Sequence, residues 1–125
     1  MRYRTNYQNV AGLGRAGEGV HHFWVQRLTA IALVPLAILF VIPFGQALGG
    51  GPAALVATYG QFGHAVTAML FIGVACWHFV IGLQVVIEDY VHGALRLVLL
   101  IATKLFGAVM GVSGIAAIAT ILFRA

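Results

Sequence analysis

The chain has 125 residues, of which 62% are hydrophobic and 8% charged, with a formal net charge of +4. A soluble domain carries about 25% charged residues, so this composition excludes one and implies an all-α integral membrane protein. The length admits three spans of about 20 residues with short connections, hence a single membrane domain over 1–125. The basic residues form no dense cluster, which argues against a nucleic-acid partner and leaves the lipid bilayer as the surroundings.

Residues 1–23 read as a polar, Gly-rich arm carrying Arg2, Arg4 and Arg15. They lack the apolar centre of a signal peptide and the serines of a transit peptide. His21-His22-Phe23-Trp24 suits the headgroup zone. The first span is expected over about 24–48, with Arg27 near its start and kinks at Pro35 and Pro43. Gly49-Gly50-Gly51-Pro52 ends it, and an uncharged connection leads to about Gln61. The second span is expected over about 62–87, followed by the exit and turn Glu88-Asp89-Tyr90-Val91-His92-Gly93.

The third span is expected over about 96–123. Lys104 lies within it and is expected to snorkel toward the Arg96 end. Gly107, Gly111 and Gly114 form a small-residue face on which another helix can pack closely. Arg2, Arg4, Arg15, Arg27 and Arg96 all fall on one side of the first two spans, and the first connection has neither Lys nor Arg. The positive-inside rule then puts the N-terminus and the Glu88–Arg96 turn in the cytoplasm and the C-terminus outside.

The chemistry concentrates on the second span. His78 and Asp89 are eleven residues apart, which on a helix is about 1100°, within roughly 20° of whole turns, and about 16 Å of rise. They share a face, and Gly82 lies close to it. Cys76 points about 200° away from His78 and reads as apolar filler. A histidine deep in a span is costly without a partner and is a functional candidate. One reading makes His78 an axial haem ligand, with iron on its neutral imidazole and Gly82 leaving room for a flat porphyrin. The other makes it a histidine hydrogen-bonded to a neighbouring helix. His64 lies about 21 Å from His78 along the same helix, so the two cannot share one haem, and His21, His22 and His92 are interfacial. A bis-histidine haem therefore requires a second polypeptide.

Tyr90 carries a hydroxyl able to donate to a carbonyl oxygen of a lipophilic ligand, and Asp89 a carboxylate able to pass protons in from water. That pair suits quinone reduction; the alternative is an interfacial aromatic belt with helix-end charges. Arg27 is placed to bind haem propionates or lipid phosphate.

His78-x3-Gly82-x6-Asp89-Tyr90, with Gln84 and Val85 between, resembles the haem- and quinone-site helix found in a family of succinate dehydrogenase (complex II) membrane anchors. Leu13-Gly14-Arg15, followed by Gly19-Val20-His21, Phe23, Arg27 and Thr29-Ala30-Ile31, is a second match in the right order. The third span matches in character alone. The resemblance implies a hydrophobic anchor of succinate:ubiquinone oxidoreductase. It also implies three partners: a second membrane anchor subunit, an iron–sulfur subunit and a flavoprotein subunit. Haem b would lie between the two anchors, with His78 as the axial ligand to its iron and Gly82 against the ring. Tyr90 and Asp89 would bind ubiquinone, and Arg27 and His21 would lie near the propionates. His22 departs from the pattern and takes no role, nor do His64 and Lys104. The short N-terminus suggests a bacterial inner membrane rather than a mitochondrial one. Two other readings stay open: the anchor of a quinol:fumarate reductase, and a haem-free membrane scaffold.

Overall fold

The computed structural model describes Tyr7 and residues 16–124. Its main elements are four helices: α1 (Ala16–Leu48), α2 (Gly51–Tyr59), α3 (Phe62–Tyr90) and α4 (Ala94–Arg124). α1, α3 and α4 are long and apolar enough to cross a membrane. The rest of the expected arm, residues 1–15 apart from Tyr7, lies outside the described residues. The helix of the first span already begins at Ala16, inside that expected arm, although its apolar part starts only at Val20. Extending a formed helix costs far less than nucleating one, so the span propagates backward through Gly17 and Gly19.

Pro35 and Pro43 both lie inside the continuous α1. The connection after it is a helix rather than plain coil. Gly51, with φ +74°, takes the left-handed conformation that ends the preceding turn, and Pro52 opens α2 where a missing N–H is no loss. Tyr59 is buried at the end of α2, and its hydroxyl donates to the Phe40 carbonyl at 3.4 Å. Burial raises its phenol above the usual tyrosine range. Phe40 also stacks on Phe71 with ring centroids 4.7 Å apart. This aromatic cluster ties α1, α2 and α3 at the end remote from Asp89. The other turn uses Gly93, again left-handed with φ +72°.

The spans form a row, not a triangular bundle. α3 packs on α1 and on α4, while α1 and α4 make no close contact among the described residues. Besides Tyr59 and Ile87, the buried residues are small: Ala65 and Ala68 are fully covered, and Ala47, Thr103, Gly107 and Gly111 are buried. In lipid, burying large apolar groups gains little, so close backbone approach by small residues does the packing.

The α3–α4 contact is built that way. A methyl added at Gly107 would run into Val80, one at Gly111 would come 3.5 Å from Cys76 Cβ, and one at Gly114 3.0 Å from Ile72 Cγ2. The small-residue face expected on the third span is therefore used inside the chain. Cys76 faces α4, on the opposite side of α3 from His78, as its spacing predicts.

Candidate functional site

His78 meets α1 through both ring nitrogens. Nδ1 is 2.9 Å from Thr29 Oγ1, and Nε2 is 3.2 Å from the Gln26 side-chain nitrogen. Gln26 and Thr29 lie three apart, so both fall on the α1 face turned to α3. Thr29 Oγ1 also donates to the Val25 carbonyl at 2.8 Å, the usual back-bond of a helical threonine. The second hydrogen bond of His78 therefore depends on Gln26, a flexible chain whose Oε1 is buried without a partner among the described residues.

Gly82 belongs to the same spot. A Cβ there would come 3.1 Å from the Gln26 side-chain nitrogen. The structure thus brings His78 and Gly82 together, as the spacing expects, with the Gln26 amide lying over both. It does not bring Arg27 or His21 to His78 within this chain. Arg27 is exposed, and its guanidinium stacks over the Phe23 ring, 4.8 Å from the centroid. It follows Gln26 by one residue, which turns it about 100° away. His21 and His22 lie edge to face, 6.5 Å apart, at one wall of a groove.

That groove, of about 590 Å³, runs along the α3 face between its two neighbours. Trp77, Ile81 and Gln84 line it from α3, and Lys104 and Val112 from α4. Lys104 is exposed there. A second cavity of about 410 Å³ lies near the start of α3, lined by His64, Gln61, Thr67, Ile38 and Pro43 among others. His64 Nδ1 is buried there without a partner among the described residues.

At the other end of α3 the two neighbouring carboxylates have different surroundings. Glu88 accepts a hydrogen bond from Gln84 at 3.1 Å and lies 3.9 Å from Arg96 across the turn. Asp89 makes no hydrogen bond or ion pair among the described residues, and it is exposed beside Tyr90, whose surface is 81% accessible. Glu88 is engaged by the fold, whereas Asp89 and Tyr90 face outward at the helix end. Among the described residues no three His, Cys, Asp or Glu side chains converge as a metal site.

Sequence reasoning missed Gln26 as a neighbour of His78 and read Thr29 only as part of a motif. The available signal was two polar residues three apart in an apolar run.

A family model described as succinate dehydrogenase/fumarate reductase transmembrane subunit matches residues 1–123. The chain is 36% identical to a succinate dehydrogenase hydrophobic membrane anchor subunit of Paracoccus denitrificans, over 86% of this chain and 83% of the relative. It is 31% identical to a protein of the same description from Rickettsia bellii, over 93% and 94% of the two chains. A succinate dehydrogenase membrane anchor subunit of Reclinomonas americana is 30% identical over 63% of this chain and 68% of its own length. No solved structure gives a significant match.

Proposed function

The chain belongs to the succinate dehydrogenase/fumarate reductase transmembrane subunits, and from that premise we propose that it anchors a succinate:ubiquinone oxidoreductase, lends it a haem b ligand and forms part of its quinone site. It is a multi-pass membrane protein and a subunit of an oxidoreductase complex. The bacterial inner membrane is the compartment proposed, with the N-terminus and the α3–α4 turn in the cytoplasm. The arginine asymmetry supports that orientation.

The observation that carries the reading is the state of His78. A half-buried imidazole with one nitrogen held by a hydroxyl is how a protein orients a single axial ligand. The other nitrogen is covered by one side chain, not by backbone, and that side chain also covers Gly82. Displacing the Gln26 side chain would free a ligating nitrogen beside a residue without a side chain, which is the pairing a flat porphyrin needs. His78 would hold the iron and Gly82 would lie against the ring. When bound, the haem supplies a one-electron centre. A second axial ligand is assigned to a partner membrane anchor, because the other histidines are interfacial or far along α3. Arg27 and His21 are left for the propionate side, where partner chains complete the surroundings.

Quinone binding is assigned to the end of α3. The Tyr90 hydroxyl donates to a quinone carbonyl oxygen and fixes its orientation. Asp89, unpaired among the described residues, is free to pass protons from water to that oxygen. The exposure of both residues in this chain supports a site closed by other subunits, an iron–sulfur protein and a flavoprotein at the cytoplasmic face. The same arrangement run in reverse would serve a quinol:fumarate reductase.

A second reading has its own support. The hydrogen bonds to Thr29 and Gln26 also suit a haem-free anchor in which His78 only ties α3 to α1. A reduced-minus-oxidised optical spectrum of the purified complex, with its co-purifying subunits identified, separates the two. A b-type spectrum with flavoprotein and iron–sulfur subunits present is expected, and a complex without haem would overturn the ligand assignment.

A further inference from the structure

We propose that Thr29 is a positioning residue for His78: its hydroxyl accepts the Nδ1 proton and so leaves Nε2 as the nitrogen that meets iron. This rests on the haem reading above and adds the means by which this chain prepares the ligand.

A threonine hydroxyl has one hydrogen. Two backbone carbonyls, of Val25 at 2.8 Å and Gln26 at 3.1 Å, are placed to take it, and with it on either one the oxygen is left as an acceptor. With the hydroxyl accepting, the nitrogen 2.9 Å from it, Nδ1, carries the imidazole proton. A neutral imidazole has one N–H, which leaves Nε2 with a free lone pair. The Gln26 side-chain nitrogen, a donor, lies 3.2 Å from Nε2. That contact is a hydrogen bond only if Nε2 accepts. Both contacts are compatible with the same tautomer.

Thr29 also fixes where the ring points. The back-bond to Val25 anchors the hydroxyl to its own helix, and χ1 of a β-branched residue is stiff. The ring is thus held by a stiff group, while Nε2 faces the longer Gln26 side chain. An N–H donated to an acceptor raises imidazole basicity, which favours the ferric over the ferrous state of a bound iron. The Nδ1–H donation is thus a setting on the haem potential.

The test compares Thr29→Val, Thr29→Ser and His78→Ala in the purified complex. Haem potential is followed by optical redox titration and the ferric low-spin signature by electron paramagnetic resonance. Valine keeps the branched shape and loses the hydroxyl; serine keeps the hydroxyl and loses the methyl. We expect Thr29→Val to lower the ferric-to-ferrous preference about tenfold, an upward shift of about 59 mV for one electron, with altered ferric g values. Thr29→Ser should stay near the wild type. Haem lost in Thr29→Val but kept in Thr29→Ser also supports the role, since the hydroxyl is what the serine restores. A wild-type potential and signature in Thr29→Val, or equal defects in both variants, would overturn it. If His78→Ala itself leaves spectrum and potential unchanged, the haem reading falls, a result distinct from failure of Thr29 alone.

Discussion

α3 has two packed sides, and they are built on opposite principles. Toward α4 it presents Ile72, Cys76 and Val80 to glycines, and at these positions the contact is close approach of apolar side chains to bare backbone. Toward α1 it presents His78 and Gly82 to Gln26 and Thr29, and the contact is a hydrogen-bonded histidine beside a side-chain amide. The first side needs the loss of side chains. The second uses polar groups where lipid makes an unsatisfied one cost several kcal/mol. An interface meant only to hold helices together can be all glycine and methyl. The side that departs from this is the one to which we assign a chemical task.

The sharpest way to break the comparison is on the α4 side. Gly107→Val adds volume where even a methyl meets Val80. Overpacking of this kind costs about 1–3 kcal/mol, and we expect lower thermal stability of the assembled complex. The haem spectrum of the complex that does assemble should be unchanged, because His78 is on the other side of α3. A shifted spectrum would mean that the two sides are not independent.

Next in size is the end of the His78 stripe. Tyr90→Phe keeps the ring and removes the hydroxyl, a loss of about 1.5 kcal/mol. Quinone reductase activity should fall about tenfold, while haem content and succinate oxidation with a soluble dye persist. A wild-type quinone rate would reassign Tyr90 to the aromatic belt and move the quinone site to partner chains. Asp89→Asn should be milder and pH-dependent, with the defect largest where protons are scarce, at high pH. A pH-independent effect would remove Asp89 from proton delivery.

The smallest effect is expected at Arg96→Gln. The Glu88–Arg96 pair is 3.9 Å apart and partly exposed on both sides, and such pairs contribute about 0–1 kcal/mol. Melting of the complex should barely change. A large loss would mean that Glu88 and Arg96 hold the turn more firmly than their geometry indicates.

Much of this was legible from the residues. Three spans follow from apolar run length, and the breaks at Gly49–Pro52 and Gly93 follow from residues that end helices. The shared face of His78 and Gly82, and the opposite face of Cys76, follow from helical periodicity alone. The short α2 was not legible, because Gly51–Tyr59 is flanked by glycines and is apolar without a clear period. The neighbours of His78 were not legible for a different reason. Periodicity gives the direction of a side chain on its own helix but not the register between helices. Thr29 and Gln26 reach His78 only because α1 packs on that side of α3 at that height. Arg27, expected near the propionate side, stacks over Phe23 within this chain.

The most direct measurement is the redox and electron paramagnetic resonance spectrum of the complex carrying His78→Ala, beside His64→Ala as a matched change on the same helix. Loss or a clear shift of the b-type signal in the first, with an unchanged signal in the second, is the expected result. A wild-type signal and potential in the His78 variant would contradict the assignment and leave His78 as a strut between α1 and α3.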